Sequence, residues 1–260
     1  MSMAKLPYYK EISNEICIFE YVYQNKLALM LKGPTGCGKS RFVEYMAARL
    51  SRPLIQVSCN EETSSVDLLG RHLVQGSNTI WQDGPVSKAI REDSILYLDE
   101  VSEAREDVIV VLHSLTDYRR QIYLDRTGEV LQATDNFMLV ASYNPGYQRG
   151  SKELKPSTKQ RFVSMSFTYP EPEVEFEIIC KETGVAENIA KLLVSFARKI
   201  RFMEELDLVE TVSTRLLVNA AKLITTNLDK RIACNIAIVQ SLTDDMVVQK
   251  NILDIVNLYF

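Results

Sequence analysis

Short runs of almost uninterrupted apolar residues recur along the first part of the chain, at residues 27–32, 54–58, 95–98, 137–142 and 163–167. Strands this apolar have no side to show to water, so they predict a parallel sheet covered by helices on both faces. Phe42, Val43, Met46, Ala47 and Leu50 follow the first run at helical spacing. Residues 119–136, "RRQIYLDRTGEVLQATDN", instead alternate apolar and polar positions around "DRTG", which predicts a hairpin. After "TYPEPEVE" the pattern changes: Pro170 and Pro172 mark a boundary, and only helical periodicity follows. Ile189, Leu192, Leu193, Phe196 and Ile200 define one helix. Leu216, Leu217, Ala220, Ala221, Leu223 and Ile224 define another, with Ser213 as its N-cap. The expectation is an α/β domain over residues 1–169, with a five-stranded parallel sheet between helices, and an all-helical domain over residues 170–260.

The first apolar run opens directly into "GPTGCGKS", residues 33–40. Gly33, Gly36, Gly38, Lys39 and Ser40 match the G-x-x-x-x-G-K-[ST] pattern of a phosphate loop, with Pro34, Thr35 and Cys37 between them. Glycines let backbone N–H groups turn inward, and the helix that follows offers the positive end of its dipole. In this pattern Lys39 neutralises the β- and γ-phosphates of ATP and the Ser40 hydroxyl ligates Mg²⁺. The strand before the loop and the helix after it are the surround that such a loop needs.

"SILYLDE" supplies the complementary acids. Asp99, at a strand end, suits a Mg²⁺ ion held through water. Binding alone does not need Glu100, whereas a second carboxylate can polarise a water for attack on the γ-phosphate, which favours hydrolysis. Asn144, ending "FMLVASYN", suits either a water-orienting amide or the turn before Pro145. Arg161 in "KPSTKQRF" and Arg215 in "TVSTRLL" have by spacing alone the standing of ordinary surface arginines.

Composition narrows the class. The chain has 260 residues, 46% apolar and 25% charged, which is ordinary globular usage. No apolar run nears the ~18 residues of a membrane span, and "MSMAKLPYYKE" has no signal-peptide core, so a cytoplasmic protein is expected, with no membrane partner. Cys17, Cys37, Cys59, Cys180 and Cys234 are scattered without CxxC spacing, which predicts reduced thiols. His72 and His113 have no neighbour at zinc-ligand spacing. The net charge of −4, with Lys and Arg dispersed, argues against nucleic acid as a partner.

Taken in order, "MLKGPTGCGK", "DLLGR", "YLDEV", "LTDYRR", "SYNPGYQ", "LKPSTKQRF" and "STRLL" resemble the MoxR branch of AAA+ ATPases. More narrowly they resemble the CbbQ/NirQ/NorQ group, with gas-vesicle GvpN as a relative, and the likeness runs nearly the whole length. It implies an AAA+ P-loop core with a C-terminal helical lid and an ATPase that remodels proteins. By this resemblance Asn144 is sensor 1, Arg161 is the arginine finger that reaches a neighbouring subunit's nucleotide, and Arg215 is sensor 2. Arg149 is a second candidate for the trans arginine. The family implies a homohexameric ring and a partner carrying a von Willebrand factor A domain. The client is Rubisco where the partner is of CbbO type, freed of inhibitory sugar phosphates, and nitric oxide or nitrite reductase in the NorQ and NirQ members. The chain reads most like CbbQ. Residues 66–86 resemble the helix-2 insert and residues 119–136 the pre-sensor-1 hairpin. Trp81 in the insert suits a partner grip or a core tryptophan equally. Tyr8 and Tyr9 suit either an adenine contact or anchorage of the first helix.

Overall fold

The computed structural model describes residues 6–145 and 154–260. The chain divides into two compact units. Ser13–Gly33 and Lys39–Ser166 form most of the first, and Tyr8–Ile12, Pro34–Gly38 and Phe167–Phe260 form the second.

In the first unit the strands are β1 (Leu29–Lys32), β2 (Leu54–Ser58), β3 (Gly70–Gln75), β4 (Asn78–Asp83), β5 (Ile95–Asp99), β6 (Gln121–Leu124), β7 (Glu129–Gln132), β8 (Met138–Tyr143) and β9 (Val163–Ser166). The five apolar runs make one sheet in the order β2-β5-β8-β1-β9, with every pairing parallel. Helices α1 (Glu15–Gln24), α2 (Lys39–Arg49), α3 (Ser65–Leu69), α4 (Pro85–Arg91), α5 (Glu106–Val111) and α6 (Pro156–Lys159) accompany it. Ile95, Leu96 and Tyr97 of β5 and Val140 and Ala141 of β8 are fully buried. Each large apolar side chain sequestered this way contributes about 1.5–3 kcal/mol. α2 buries Phe42, Val43, Met46 and Ala47, and Phe42 meets Phe19 of α1 edge to face at 5.6 Å. Register matters most for function: β5, β8 and β1 are neighbours, so their C-terminal ends, Asp99, Tyr143 and Lys32, share one edge.

Two hairpins leave this sheet. β3 and β4 pair antiparallel across Gly76 and Ser77, with Gly76 at φ 64°. They follow α3, which starts with a reciprocal cap in which Ser64 takes the Asp67 N–H and Asp67 takes the Ser64 N–H. Trp81 lies on β4, packed against the core cluster. Its indole N–H donates to Asp83 at 2.7 Å and its ring meets His72 edge to face. Gly70 permits this, since a Cβ there would stand 2.5 Å from the Trp81 ring at a φ of +135°. The second hairpin pairs β6 with β7 around residues 125–128.

The second unit is built on α7 (Pro172–Thr183), α8 (Glu187–Arg201), α9 (Thr214–Thr225) and α10 (Lys230–Cys234), which continues through a π-helical turn to Leu242, and a C-terminal helix Met246–Tyr259. Leu193, Phe196, Leu217, Ala221, Ile238, Ile252 and Val256 meet in its core. The Ser213 hydroxyl takes the Leu216 N–H and so caps α9. Among the described residues no helix is long and apolar enough to cross a membrane.

Candidate functional site

In the first unit the C-terminal edge of the sheet gathers a phosphate-loop helix, a carboxylate pair and a line of hydroxyls. The Gly33 N–H donates to the Tyr143 carbonyl, tying the end of β1 to the end of β8. Lys39 opens α2 and its ammonium donates to the Gly33 carbonyl at 2.7 Å, folded back over the turn it follows. Ser40, next on α2, donates to Asp99 Oδ2 at 3.2 Å. A hydroxyl and a carboxylate at this spacing are hard oxygen ligands of the kind a Mg²⁺ ion accepts, with phosphate and water completing its octahedron. Gly38 has φ +102° and a Cβ there would meet nothing within 4 Å, so the loop has open space on that side. The residues present therefore fit a metal–phosphate group.

The other Asp99 oxygen is spoken for. Oδ1 takes a hydrogen bond from the Tyr97 hydroxyl at 2.8 Å and another from the Ser142 hydroxyl at 2.5 Å. Burial foremost, then the Asp99 charge, raises the Tyr97 phenol above its ordinary value, so it stays protonated and donates. The Cys59 thiol, at the end of β2, is pushed up to about 12 by burial, with Asp99 and Glu100 adding to the effect. It is a neutral thiol and no nucleophile. Glu100 is exposed and has φ 55° and ψ 45°, a left-handed conformation that costs a non-glycine residue on the order of 1 kcal/mol or more. That turn ends β5 sharply and carries Glu100 out of the strand beside Asp99. Asn144 is half-buried and immediately follows β8.

Tyr97 and Ser142 were not among the residues expected from the sequence. A signal for them exists: side chains two apart on a strand share a face, so Tyr97 lies on the face of Asp99 and Ser142 on the face of Asn144.

Arg161 lies at the opposite edge. It follows α6 and leads into the start of β9, where Val163 N–H bonds the Ala28 carbonyl just before β1. β9 lies three strands from β5 in the sheet, about 14 Å at about 4.8 Å per strand, so Arg161 is remote from its own chain's Asp99. Its guanidinium lies 3.4 Å from Asp117 Oδ2 and 3.5 Å from the His113 carbonyl. Arg149 falls outside the described residues.

In the second unit, Arg215 is exposed in the first turn of α9. Its Cβ would stand 3.2 Å from a Cβ added to Gly36, and the Ser213 Cβ and hydroxyl would stand only 2.7 Å away; with φ at +72°, position 36 admits glycine alone. Thr35 donates its hydroxyl to Glu210 at 2.7 Å and accepts the Tyr169 hydroxyl on its carbonyl at 3.2 Å. Cys37 is buried and Pro34 half-buried within this segment. The Tyr8 hydroxyl donates to Glu177 of α7 at 3.3 Å, and burial with that carboxylate pushes it up to about 12. Its segment thus belongs with the helical unit rather than with α1.

Comparison with known proteins agrees with this geometry. The AAA domain (dynein-related subfamily) family matches residues 28–162, and the CbbQ/NirQ/NorQ C-terminal family matches residues 175–259. The denitrification regulatory protein NirQ of Pseudomonas aeruginosa is 51% identical across 97% of each chain. NorQ of Paracoccus denitrificans is 51% identical over 96% of this chain and 92% of its own. CbbQ of Hydrogenophilus thermoluteolus is 54% identical over 92% and 90%. Among solved structures, a RuvB variant from Thermotoga maritima superposes with a TM-score of 0.57 at 14% identity, over 95% of this chain and 69% of RuvB, a likeness of fold alone. The chain binds nucleotide and hydrolyses ATP, and it belongs to the CbbQ/NirQ/NorQ family of AAA+ ATPases.

Proposed function

We propose that this chain is the ring-forming motor of a protein-remodelling chaperone, driven by ATP and Mg²⁺ bound at residues 33–40. The observation that carries the reading is the Ser40–Asp99 oxygen pair, 3.2 Å apart behind the phosphate loop, with Glu100 turned out of the strand beside it. The backbone of Gly33, Pro34, Thr35, Gly36, Cys37 and Gly38 cradles the phosphates. Lys39 would neutralise the β- and γ-phosphates. Ser40, and Asp99 through water, would hold Mg²⁺, which when bound would neutralise charge on the phosphates. Glu100 polarises the attacking water and Asn144 orients it.

Arg161 stands beside β9, three strands from the β5 end that carries Asp99, which supports a finger working on the neighbouring subunit's nucleotide and hence a closed ring, read from the family as a homohexamer. Arg215, close to Gly36, reports the nucleotide's state to the helical unit. The expected client is Rubisco, with a CbbO-type von Willebrand factor A protein as partner, and the motor's work is release of inhibitory sugar phosphates. The CbbQ relative, 54% identical, supports this. A second reading has its own support: the Pseudomonas NirQ matches across 97% of both chains and is named for denitrification, which makes nitric oxide or nitrite reductase the client.

The deciding experiment measures ATPase rate for the chain alone, with a CbbO-type partner, and with inhibitor-bound Rubisco added, while carboxylation is followed. Recovery of carboxylation that requires ATP, partner and Glu100 establishes the Rubisco reading. ATP turnover without recovery overturns it in favour of the reductase client.

A further inference from the structure

Ser142 stands between the two acids. It is fully buried on β8 and its hydroxyl has one proton and two lone pairs. The proton goes to Asp99 Oδ1. A lone pair takes the Glu100 backbone N–H at 3.3 Å. The Tyr97 hydroxyl, 3.1 Å from Ser142 Oγ, gives its own proton to the same Asp99 oxygen and lies 3.3 Å from Ser40 Oγ. With Oδ1 holding two donors, the carboxylate cannot rotate about its Cβ–Cγ bond without leaving buried hydroxyls unsatisfied, and Oδ2 stays turned to Ser40. The same serine anchors the N–H of Glu100, the residue in the left-handed conformation. One hydroxyl therefore touches the side chain of one acid and the backbone of the other, from the strand that leads to Asn144.

We propose that Ser142, backed by Tyr97, is a positioning residue that sets the Asp99 carboxylate and the Glu100 turn together, so that metal holding and water activation depend on a single buried hydroxyl. The inference rests on the roles proposed above for Asp99 and Glu100. A serine that merely fills its buried site would affect stability and leave the metal dependence of turnover untouched. Loss of hydrogen bonds that orient metal-holding groups typically costs 10- to 100-fold in metal affinity or activity.

The test uses the full chain carrying Ser142→Ala, Tyr97→Phe, both together, or Ser142→Thr, with Glu100→Gln as control. Nucleotide binding is measured in EDTA, and ATP turnover is measured across a Mg²⁺ titration. The expected result for Ser142→Ala is unchanged metal-free binding, a lower kcat, and a Mg²⁺ half-saturation raised about 10-fold. Tyr97→Phe should move both in the same direction. The double variant should lose less than the two effects combined, because both donors share one oxygen. Ser142→Thr, which keeps the hydroxyl, should restore much of the loss. Wild-type kcat and Mg²⁺ dependence in folded Ser142→Ala, with Glu100→Gln inert, overturns the inference alone. Should Ser142→Ala not fold, an unaltered Mg²⁺ dependence in Tyr97→Phe overturns it equally. Full turnover in Glu100→Gln instead shows that the acid assignment itself is at fault.

Discussion

Arg201 grips Glu175 through both terminal guanidinium nitrogens, at 2.8 and 2.7 Å, on a carboxylate that is 1% exposed. Thr214 adds a third hydrogen bond to Glu175 at 2.6 Å, and the remaining Arg201 donor reaches the Val212 carbonyl at 2.8 Å. The guanidinium also lies 4.4 Å over the Tyr169 ring. This buried fork ties α7 and α8 to the start of α9, one residue before Arg215. Removing one partner leaves the other charge buried and alone, a loss of about 3–5 kcal/mol. Arg201→Ala and Glu175→Gln should each lose that much in urea denaturation followed by far-ultraviolet circular dichroism. Replacing both with apolar residues of similar size should cost less than either single change. Arg201→Lys should rescue poorly, because an ammonium cannot match a two-pronged pair. A single-variant loss below about 1 kcal/mol would show that the pair is open to water.

Binding and hydrolysis should separate cleanly at the candidate site. Lys39→Ala removes the cation proposed to neutralise the phosphates and should abolish nucleotide binding, read by fluorescent-nucleotide titration. Glu100→Gln keeps every group proposed to hold ATP and removes only the proposed base, so affinity should persist while turnover falls by about 10²-fold or more. Normal affinity in Lys39→Ala would overturn the phosphate-loop assignment. Retained turnover in Glu100→Gln would move the base to another residue.

The sheet was readable because its strands are short, apolar and buried on both sides. The run at residues 54–58 coincides with β2, and the others begin or end within two residues of the observed strands. Strand order was not readable, since side-chain pattern says which face is buried and nothing about which neighbour lies beside it. The β3–β4 hairpin escaped notice for a related reason: its residues are mostly exposed, so burial imposes little alternation. Ser40 and Asp99 stand out in the sequence because Ser40 closes the glycine-rich loop pattern and Asp99 ends an apolar run. Tyr97 and Ser142 hide inside strands that read as apolar, although their hydroxyls do the work of holding Asp99. Trp81, for which two readings stood level, has its indole N–H on Asp83 and its ring on the core.

Asp117 carries a pH dependence with a definite sign. Hydrogen bonds from Arg119 foremost, with the Arg161 charge a smaller contributor, hold its carboxyl down to about 2. The folded value lies below the ordinary carboxylate value, so its contribution is full at neutral pH and is lost as pH falls from about 4 to about 2. Arg119 is well exposed, and solvent screening limits the contribution to about 1 kcal/mol or less. Thermal unfolding of wild type and Asp117→Asn should differ slightly at pH 7, and the difference should vanish near pH 2. A gap that widens on acidification would reverse the sign and refute the pairing.

Arg161 offers the sharpest test of the ring. In one chain β9, which follows Arg161, lies three strands from β5, which ends in Asp99, about 14 Å at about 4.8 Å per strand, and the proposed finger serves a neighbour's nucleotide. With Arg161 in the proposed finger role, Arg161→Ala should bind ATP normally and lose turnover by about 10³-fold or more, the range typical of such fingers. Lys39→Ala should also be inactive, for want of nucleotide. Mixed in one ring, the two defects complement at one kind of interface: an Arg161→Ala subunit holds ATP and its Lys39→Ala neighbour supplies an intact Arg161. ATPase rate measured against mixing ratio should rise from zero at both ends to a maximum between them. A finger acting within its own chain predicts no activity at any ratio, because every subunit then lacks either its nucleotide or its arginine.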